Sequence, residues 1–198
     1  PDSLRGKLLR IDPRRDLANG TPYRIHPGNP FVGKPGRDEV FALGFRNPHS
    51  FNFSRSQSGE TMVAIYDVGQ SRFEELNYLP LKDARGANFG WHDYEGMEPY
   101  NCGELCPNGG EPTVTEGLTW PQLVYSHDEG CAIIGGPVVQ DPALTTVRGR
   151  LIFGDFCANN VQTAAPATPK ITDVRPTGFY MPPGKGRHPA LNGFGVHG

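Results

Sequence analysis

The sequence has little excess of charge of either sign and no long hydrophobic run. Its 198 residues carry 19 basic and 21 acidic side chains, for a formal net charge of −2 at pH 7. A chain of this charge lacks the excess of positive charge that binding to nucleic acid or to an anionic membrane surface requires. No stretch approaches the roughly 20 apolar residues that a transmembrane helix requires. We therefore expect neither a nucleic-acid partner nor a transmembrane segment.

The pattern of long helices is also missing. No window of a dozen residues shows an apolar period of about 3.6, whereas short apolar runs recur between turn residues. The 26 glycines and 20 prolines are spread between these runs, and the 36% of hydrophobic residues can bury a core. The sequence thus predicts an all-β protein. Its predicted strands cover residues 7–11, 40–45, 50–53, 62–66, 73–79, 123–125, 132–139, 151–156 and 171–174.

Cysteine is scarce, with only four residues in the chain. An even number in a turn-rich chain favours disulfides, and therefore an oxidising compartment. Of the three possible pairings we favour Cys102–Cys106, which closes a tight loop, and Cys131–Cys157, which joins two strand ends. A zinc site is the alternative, although the spacing lacks the paired knuckles of such sites. The protein is expected to be secreted or periplasmic.

A faint internal repeat favours a β-propeller over a β-sandwich. Residues 6–10 resemble residues 149–153, and residues 65–67 resemble residues 152–155. Both separations lie near whole multiples of about 45 residues, the length of a four-stranded propeller blade. At that length the chain holds roughly four blades, and no closing strand is visible near its end. We expect a partial propeller, with clear blades in residues 1–160 and a loop-rich or truncated tail in residues 161–198.

Residues able to carry chemistry are concentrated between Gly44 and Trp91. Arg46 and Asn47 follow a predicted strand and offer directional donors that suit carboxylate or quinone oxygens. A turn beside a surface arginine is the structural alternative. Residues 86–91 place glycines around Asn-Phe and before a tryptophan, a pattern that fits either a close backbone approach or ordinary packing.

The acidic cluster in the same region has the composition of a calcium site. Asp67, Glu74 and Glu75 supply carboxylates, and the turn through Gly69 and Gln70 supplies backbone carbonyls, the ligands that Ca²⁺ prefers. The alternative is a solvated acidic turn. If Glu74 and Glu75 lie on one strand, they point to opposite faces of the sheet and serve different surroundings.

The order of these clusters resembles the glucose/sorbosone dehydrogenase family, which includes soluble quinoprotein glucose dehydrogenases, aldose sugar dehydrogenases and Hedgehog-interacting-protein-like propellers. The likeness covers about residues 4–157. It implies a six-bladed propeller that binds pyrroloquinoline quinone (PQQ) and Ca²⁺ at its central end. The motifs that carry it are Gly44-Phe45-Arg46-Asn47-Pro48, then Asp67-Val68-Gly69-Gln70 with Glu74-Glu75-Leu76-Asn77, then Gly86-Ala87-Asn88-Phe89-Gly90-Trp91.

The resemblance also implies roles for individual residues. Arg46 and Asn47 resemble the pair that contacts the quinone of PQQ. Gly69 and Gln70 resemble the residues whose carbonyls bind the Ca²⁺ that bridges to the cofactor, so they belong to both the cofactor and the metal site. Glu74 resembles an active-site carboxylate. Glu75 resembles a carboxylate ligand of a second, structural Ca²⁺, and Phe89 resembles a residue whose backbone carbonyl binds that second ion.

The departures from the family pattern concern catalysis. The family's general base is a histidine of an earlier blade, and none of the six histidines here takes its place. Val68 stands where the glucose enzymes have Gln, and Glu74 where they have Asp. The resemblance implies a portion of a PQQ- and Ca²⁺-dependent dehydrogenase that oxidises aldose sugars to lactones and reduces an external electron acceptor. The alternatives are a non-catalytic extracellular binding propeller and a Ca²⁺-dependent lactonase; by itself the chain is expected to have little activity.

Overall fold

The structure, a computed structural model, describes residues 2–15, 18, 20–101, 110–158, 160–179 and 191–195. Strands dominate these residues, and the helical element among them is the single turn α1 (Leu81–Ala84). No helix in the described part is long and apolar enough to cross a membrane. The strands are β1 (Lys7–Leu9), β2 (Ile11–Asp12), β3 (Arg24–Ile25), β4 (Val40–Leu43), β5 (Pro48–Arg55), β6 (Thr61–Asp67), β7 (Phe73–Pro80), β8 (Tyr94–Glu95), β9 (Glu98–Pro99), β10 (Leu123–Ser126), β11 (Ile133–Val138), β12 (Leu151–Asp155), β13 (Val161–Ala164) and β14 (Val174–Pro176).

Two antiparallel four-stranded sheets form the body of the described chain. The first has the order β10-β7-β6-β5 and the second the order β11-β12-β13-β14. The strands β6 and β7 lie in the centre of the first sheet and are almost entirely buried. Burial on both faces explains why β6 is an almost continuous apolar run, whereas β7 also buries the polar residues Glu74, Glu75 and Asn77. Three two-stranded sheets, β1-β4, β2-β3 and β8-β9, complete the described architecture.

The first sheet lies between two apolar cores, because successive side chains of a strand point to opposite faces. On one face, Tyr66 and Leu76 pack with Ile133, Leu151 and Phe153 of the second sheet. The residues of the other face pack against the β1-β4 segment; this core contains Leu8, Phe41, Phe45, Val63, Ile65, Leu79 and Phe89. Sheets stacked face to face in this way are the arrangement of successive β-propeller blades.

The contact between the two large sheets depends on a glycine. A Cβ atom at Gly135 would lie only 1.9 Å from the ring of Tyr66, so the absence of a side chain lets β11 approach β6. The Tyr66 hydroxyl donates a 2.8 Å hydrogen bond to the carbonyl of Gly136. The backbone N–H of Gly135 donates a 3.2 Å hydrogen bond to the hydroxyl of Ser50 on β5. The sheets are therefore joined by polar bonds as well as by apolar packing.

The all-β class predicted from the sequence is confirmed, with differences in detail. The strand predicted over residues 171–174 begins only at Val174, because the N–H of Ile171 bonds to the carbonyl of Gln122, 2.8 Å away, outside any sheet ladder. Strand β13, which the sequence did not indicate, pairs with β12 and continues the second sheet. It is short and half polar, so its pattern alone carries no strand signal. Strands β13 and β14 fall in the stretch predicted to be rich in loops.

The antiparallel pairing gathers the loops of interest at one edge of the two sheets. Asp67, the last residue of β6, pairs with Pro48 on one side and with Glu75 on the other. Ile133, the first residue of β11, pairs with Asp155, the last residue of β12. We call this edge, where β5, β7 and β11 start and β6, β10 and β12 end, the site edge.

Candidate functional site

The turn that carries Arg46 and Asn47 is fixed by the buried carboxylate of Asp67. The backbone N–H groups of Arg46 and Asn47 donate to the two oxygens of Asp67, at 3.0 Å and 2.7 Å respectively. The N–H of Val68 returns a 3.0 Å hydrogen bond to the carbonyl of Asn47. Burial raises the pKa of Asp67 to about 7, although the two N–H donors act in the opposite direction. The turn and the end of β6 therefore form one hydrogen-bonded unit.

The side chain of Arg46 joins this turn to the second cluster. Its Nε donates a 3.1 Å hydrogen bond to the side-chain oxygen of Gln70, 24 positions along the chain. Its Nη1 lies 3.4 Å from the carbonyl oxygen of Val68. Asn47 and Gln70 are exposed, and Arg46 is half-buried. The structure thus brings together Arg46, Asn47 and Gln70, as the predicted cofactor site requires, and leaves this face open to solvent.

Gly69 lies at a point where the backbone folds back closely on itself. A Cβ atom there would be 1.7 Å from the carbonyl oxygen of Phe73 and 2.8 Å from a carboxylate oxygen of Glu95. No side chain fits that space, so glycine is required by the shape of the loop. The loop that follows is bonded through its N–H groups to Glu95, which is 1% exposed.

Glu75 lies on the opposite side of β7 from Glu74, as the alternation of a strand predicts. Its Oε1 accepts a 2.7 Å hydrogen bond from the N–H of Gly96. Burial, followed by the neighbouring carboxylate of Asp67, raises the pKa of Glu75 to about 8. Two positions further along the same face, Asn77 is fully buried; its amide faces the Glu75 carboxylate and lowers the pKa of that group, but forms no well-aligned hydrogen bond among the described residues.

The chemistry of this donor set fits a divalent cation. Two buried carboxylates at paired positions repel one another, and a buried amide without a well-aligned partner carries a desolvation cost. A hard cation with oxygen ligands would relieve both. Phe89, predicted to add its carbonyl, belongs to the apolar core on the same face of the sheet, where its ring stacks on that of Phe45 at 4.4 Å.

Glu74 points to the other core and is occupied there. Its Oε1 lies 2.7 Å from Nε2 of His127, and its Oε2 accepts a 2.9 Å hydrogen bond from the N–H of Ile133. Burial raises the pKa of Glu74, whereas Ile133 and His127 lower it. The carboxylate is 0% exposed, and of its two partners at the site edge His127 is the one that is partly exposed. A catalytic role for Glu74 stays a prediction.

The predicted disulfide between Cys131 and Cys157 is confirmed, with a Cα–Cα distance of 5.6 Å. It encloses Asp155, whose carboxylate accepts hydrogen bonds from the N–H groups of both cysteines, at 3.0 Å and 2.7 Å. The disulfide engages both sulfur atoms, so the zinc alternative fails for this pair. Cys102 and Cys106 lie outside the described residues.

Two residues that organise the site edge, His127 and Glu95, were not predicted from the sequence. His127 reaches Glu74 across 53 positions, and Glu95 reaches the loop at Gln70 across 25. Neither residue lies in a motif that predicts these contacts. A lone Glu before glycine, or a His beside Asp, is typical of a solvated surface residue, so the sequence offered no usable signal.

Comparisons with known proteins show the family to which the chain belongs. The family model described as Glucose / Sorbosone dehydrogenase matches residues 1–174. The chain belongs to the glucose/sorbosone dehydrogenase family. A curated relative, the HIPL1 protein of Arabidopsis thaliana, is 29% identical over 174 residues, which cover 80% of this chain and 24% of the relative. The chain therefore spans about a quarter of the length of that relative.

Solved structures show that the fold is that of a β-propeller dehydrogenase. The PQQ-bound aldose sugar dehydrogenase of Streptomyces coelicolor matches 88% of this chain and 39% of its own, with a TM-score of 0.53 and 21% identity. The apo-form of the soluble aldose sugar dehydrogenase of Escherichia coli matches 86% of this chain and 44% of its own, with a TM-score of 0.60 and 20% identity. The family and the propeller class expected from the sequence are thus both confirmed.

Proposed function

We propose that this chain is a portion of a PQQ- and Ca²⁺-dependent dehydrogenase that oxidises aldose sugars to lactones. The observation that carries the proposal is the junction of Arg46 with Gln70 at the site edge, 3.1 Å apart, beside the exposed Asn47. Donors suited to quinone oxygens and backbone carbonyls suited to Ca²⁺ meet there from two separate motifs. The PQQ-bound state of the Streptomyces coelicolor structure supports this choice of cofactor.

In the proposed enzyme, Arg46 and Asn47 hold the cofactor from one side. The guanidinium of Arg46 directs its N–H groups in fixed directions, so it would stabilise negative charge that develops on a nearby oxygen. The carboxylate of Asp67 fixes the backbone of both residues and keeps their side chains aimed away from the core. Bound PQQ supplies a two-electron oxidant for the sugar.

Calcium has two proposed positions. Gly69 and Gln70 supply carbonyl oxygens for the ion on the cofactor side, and Glu75 supplies a carboxylate for a structural ion, with Phe89 as a further carbonyl ligand. The paired, buried carboxylates of Asp67 and Glu75 and the poorly satisfied amide of Asn77 support a cation on the face of β7 that packs against the β1-β4 core. The general base that takes the hydroxyl proton of the sugar is proposed to lie outside these 198 residues. An external electron acceptor then completes the cycle.

An oxidising compartment is part of the proposal. The Cys131–Cys157 disulfide supports a secreted or periplasmic protein, because such bonds persist outside the reducing cytosol.

The test is reconstitution of the full-length gene product with PQQ and CaCl₂, followed by dye reduction with a panel of aldoses. Dye reduction that requires an aldose, PQQ and Ca²⁺ together supports the proposal. A protein that neither perturbs the PQQ absorption spectrum nor reduces dye contradicts it. The Arg46→Ala variant provides the internal control, because it removes the proposed quinone contact at a half-buried side chain.

A non-catalytic extracellular binding propeller is the second candidate. HIPL1 is 29% identical, whereas four glucose and aldose sugar dehydrogenases of known structure are 20–23% identical. Val68 and Glu74 also depart from the glucose enzymes at the proposed cofactor site. Ca²⁺ binding without any PQQ binding would favour this candidate, and Ca²⁺-dependent lactone hydrolysis without PQQ would favour a lactonase instead.

A further inference from the structure

The carboxylate of Glu95 is the common acceptor for the whole loop that follows Gly69. Four consecutive backbone N–H groups donate to its Oε1, and the Ser71 hydroxyl donates to its Oε2 at 3.3 Å. The four donors are Gln70 at 2.7 Å, Ser71 at 2.7 Å, Arg72 at 2.8 Å and Phe73 at 3.3 Å. Burial alone would raise the pKa of Glu95, yet these N–H groups outweigh it and lower the pKa, which favours the charged carboxylate.

These hydrogen bonds determine where the carbonyl groups of the loop point. In a planar trans peptide, the N–H of one residue and the C=O of the residue before it point in opposite directions. The peptides between residues 69 and 71 are trans. Since the N–H groups of Gln70 and Ser71 point at Glu95, the carbonyls of Gly69 and Gln70 must point away from it, to the other side of the loop.

The two carbonyl groups are left free by the rest of the described chain. No described residue donates a hydrogen bond to the carbonyl of Gly69 or of Gln70. The carbonyl of the preceding Val68, by contrast, is approached by the guanidinium of Arg46 at 3.4 Å. Backbone carbonyls at the edge of a site that lack a protein partner are available to water or to a cation.

Glu95 is itself held in place by its surroundings. It ends β8, which pairs with β9 through Glu98, and it is almost fully buried. The N–H of the next residue, Gly96, donates to Glu75. Residues 95 and 96 therefore link the loop at Gly69 to Glu75, the proposed ligand of the structural ion on the face of β7 that packs against the β1-β4 core.

We propose that Glu95 is the positioning residue for the cofactor-side Ca²⁺: it turns the carbonyls of Gly69 and Gln70 towards the ion without touching the ion itself. The inference rests on the proposed function, since it assigns those two carbonyls to that ion. An isolated carboxylate at this depth would be costly, and its four N–H partners come from the loop that carries the two carbonyls.

The experiment compares Glu95→Gln with Glu98→Gln. Glu98 is exposed, lies on the adjoining strand and pairs with the side chain of Arg72, so its variant removes a carboxylate that contacts the same loop without removing an acceptor of the backbone N–H groups. PQQ is titrated into each protein at several fixed Ca²⁺ concentrations, and binding is followed by the absorption of the cofactor. Amide hydrogen exchange of residues 70–73 is measured in parallel, without ligand.

We expect Glu95→Gln to weaken Ca²⁺-dependent PQQ binding by about 10–100-fold, because a neutral amide oxygen holds the four N–H groups less strongly than a carboxylate and the new NH₂ group cannot accept from Ser71. The Ca²⁺ dependence itself should flatten, and the amides of residues 70–73 should exchange faster. General destabilisation would not remove the Ca²⁺ dependence from the folded fraction. Glu98→Gln should change none of these quantities by more than about two-fold, within the range expected of an exposed ion pair.

The outcomes that contradict this expectation separate a failure of this inference from a failure of the proposed function. Equal affinity and equal Ca²⁺ dependence in folded Glu95→Gln would overturn this inference and leave the proposed function intact. Absence of PQQ binding by the unaltered protein would overturn the proposed function, and this inference with it. If Glu95→Gln does not fold, Glu95→Asp serves as the second variant: it keeps the charge but shortens the reach, and unchanged binding there would equally overturn the inference.

Discussion

Nε2 of His127 lies 2.7 Å from Oε1 of Glu74, although 53 positions separate the two residues in the sequence. The carboxylate is fully buried, and its other oxygen is held by the N–H of Ile133 at the start of the neighbouring sheet. Glu74 therefore links three segments of the site edge: the start of β7, the turn after β10 and the start of β11.

Removal of the imidazole should destabilise the protein. His127→Ala leaves one oxygen of a buried carboxylate without its partner, and we expect the free energy of unfolding to fall by about 1–3 kcal/mol. Urea unfolding at pH 7 measures the change. His92→Ala is the control, because His92 is exposed and its contacts, with Asp93 at 3.8 Å and with the edge of the Trp91 ring, involve no buried carboxylate. Equal losses in the two variants would contradict a specific role for the His127 contact.

Gly135 should be intolerant even of alanine. The added Cβ would lie 1.9 Å from the Tyr66 ring, which is fully buried and hydrogen-bonded to Gly136. We expect Gly135→Ala to lower the free energy of unfolding by about 1–3 kcal/mol or more, the usual cost of overpacking. Gly193→Ala is the matched control, since a Cβ atom at that position would have nothing within 4 Å. Chemical denaturation that finds Gly135→Ala as stable as the control would refute the packing described here.

The fold was predictable where strands are buried on both faces. Residues 62–66 are an apolar run and residues 73–79 are rich in aromatic and aliphatic residues, and the structure makes them the central strands β6 and β7. The blade length was not predictable in the same way. The first sheet takes its fourth strand, β10, only after a long segment that contains α1, β8 and β9, so its strands span residues 48–126. A regular period of about 45 residues does not describe such a blade.

The order of the motifs predicted that they lie close together, but the contacts that support the candidate site were not predictable. The motif order identified Arg46 and Gln70, and the structure places their side chains 3.1 Å apart. The partners Glu95 and His127 come from distant turns, and what selects them is the tertiary arrangement of buried N–H groups and carboxylates. Sequence spacing holds no information about such pairings, because each depends on how two loops meet after the sheets have packed.

The Cys131–Cys157 bridge should contribute substantially to stability. It closes a loop with a sequence separation of 26 residues. We expect the Cys131→Ala, Cys157→Ala double variant to lose about 2–4 kcal/mol in the free energy of unfolding. Thermal denaturation without reductant measures the change, with the unaltered protein as reference. A double variant that melts with the unaltered protein would show that the Asp155 hydrogen bonds alone hold this corner.

Arginine at position 46 should not be replaceable by lysine. Lysine keeps the charge, but it cannot reach Gln70 and Val68 with two separate, fixed N–H groups. We expect Arg46→Lys to weaken PQQ binding at least about ten-fold, since a charge-assisted hydrogen bond contributes about 1.5–3 kcal/mol. Arg55→Lys, at the far end of β5, is the control and should bind PQQ normally. Retained affinity in Arg46→Lys would remove Arg46 from the proposed cofactor site.

Calcium should reverse the effect of a substitution at Glu75. In EDTA, burial and then the carboxylate of Asp67 at the paired position of β6 disfavour the ionised form of Glu75, so the protein must fold with this group protonated or bear the cost of its buried charge. Glu75→Gln replaces the ionisable group by a neutral one at nearly constant volume, and we expect the metal-free variant to melt at or above the temperature of the unaltered protein. Added Ca²⁺ should stabilise only the unaltered protein, by about 2.7 kcal/mol at a free concentration 100 times the Kd.

The order of the two melting temperatures should therefore invert between EDTA and saturating Ca²⁺. PQQ binding should change less than stability does, because the cofactor-side carbonyls belong to Gly69 and Gln70. Glu116→Gln, an exposed carboxylate outside the strands, is the control and should follow the unaltered protein in both conditions. Melting curves of the unaltered protein that coincide with and without Ca²⁺ would contradict a structural ion here. The amide of Asn77 would then be satisfied by something other than a metal, such as a buried water molecule.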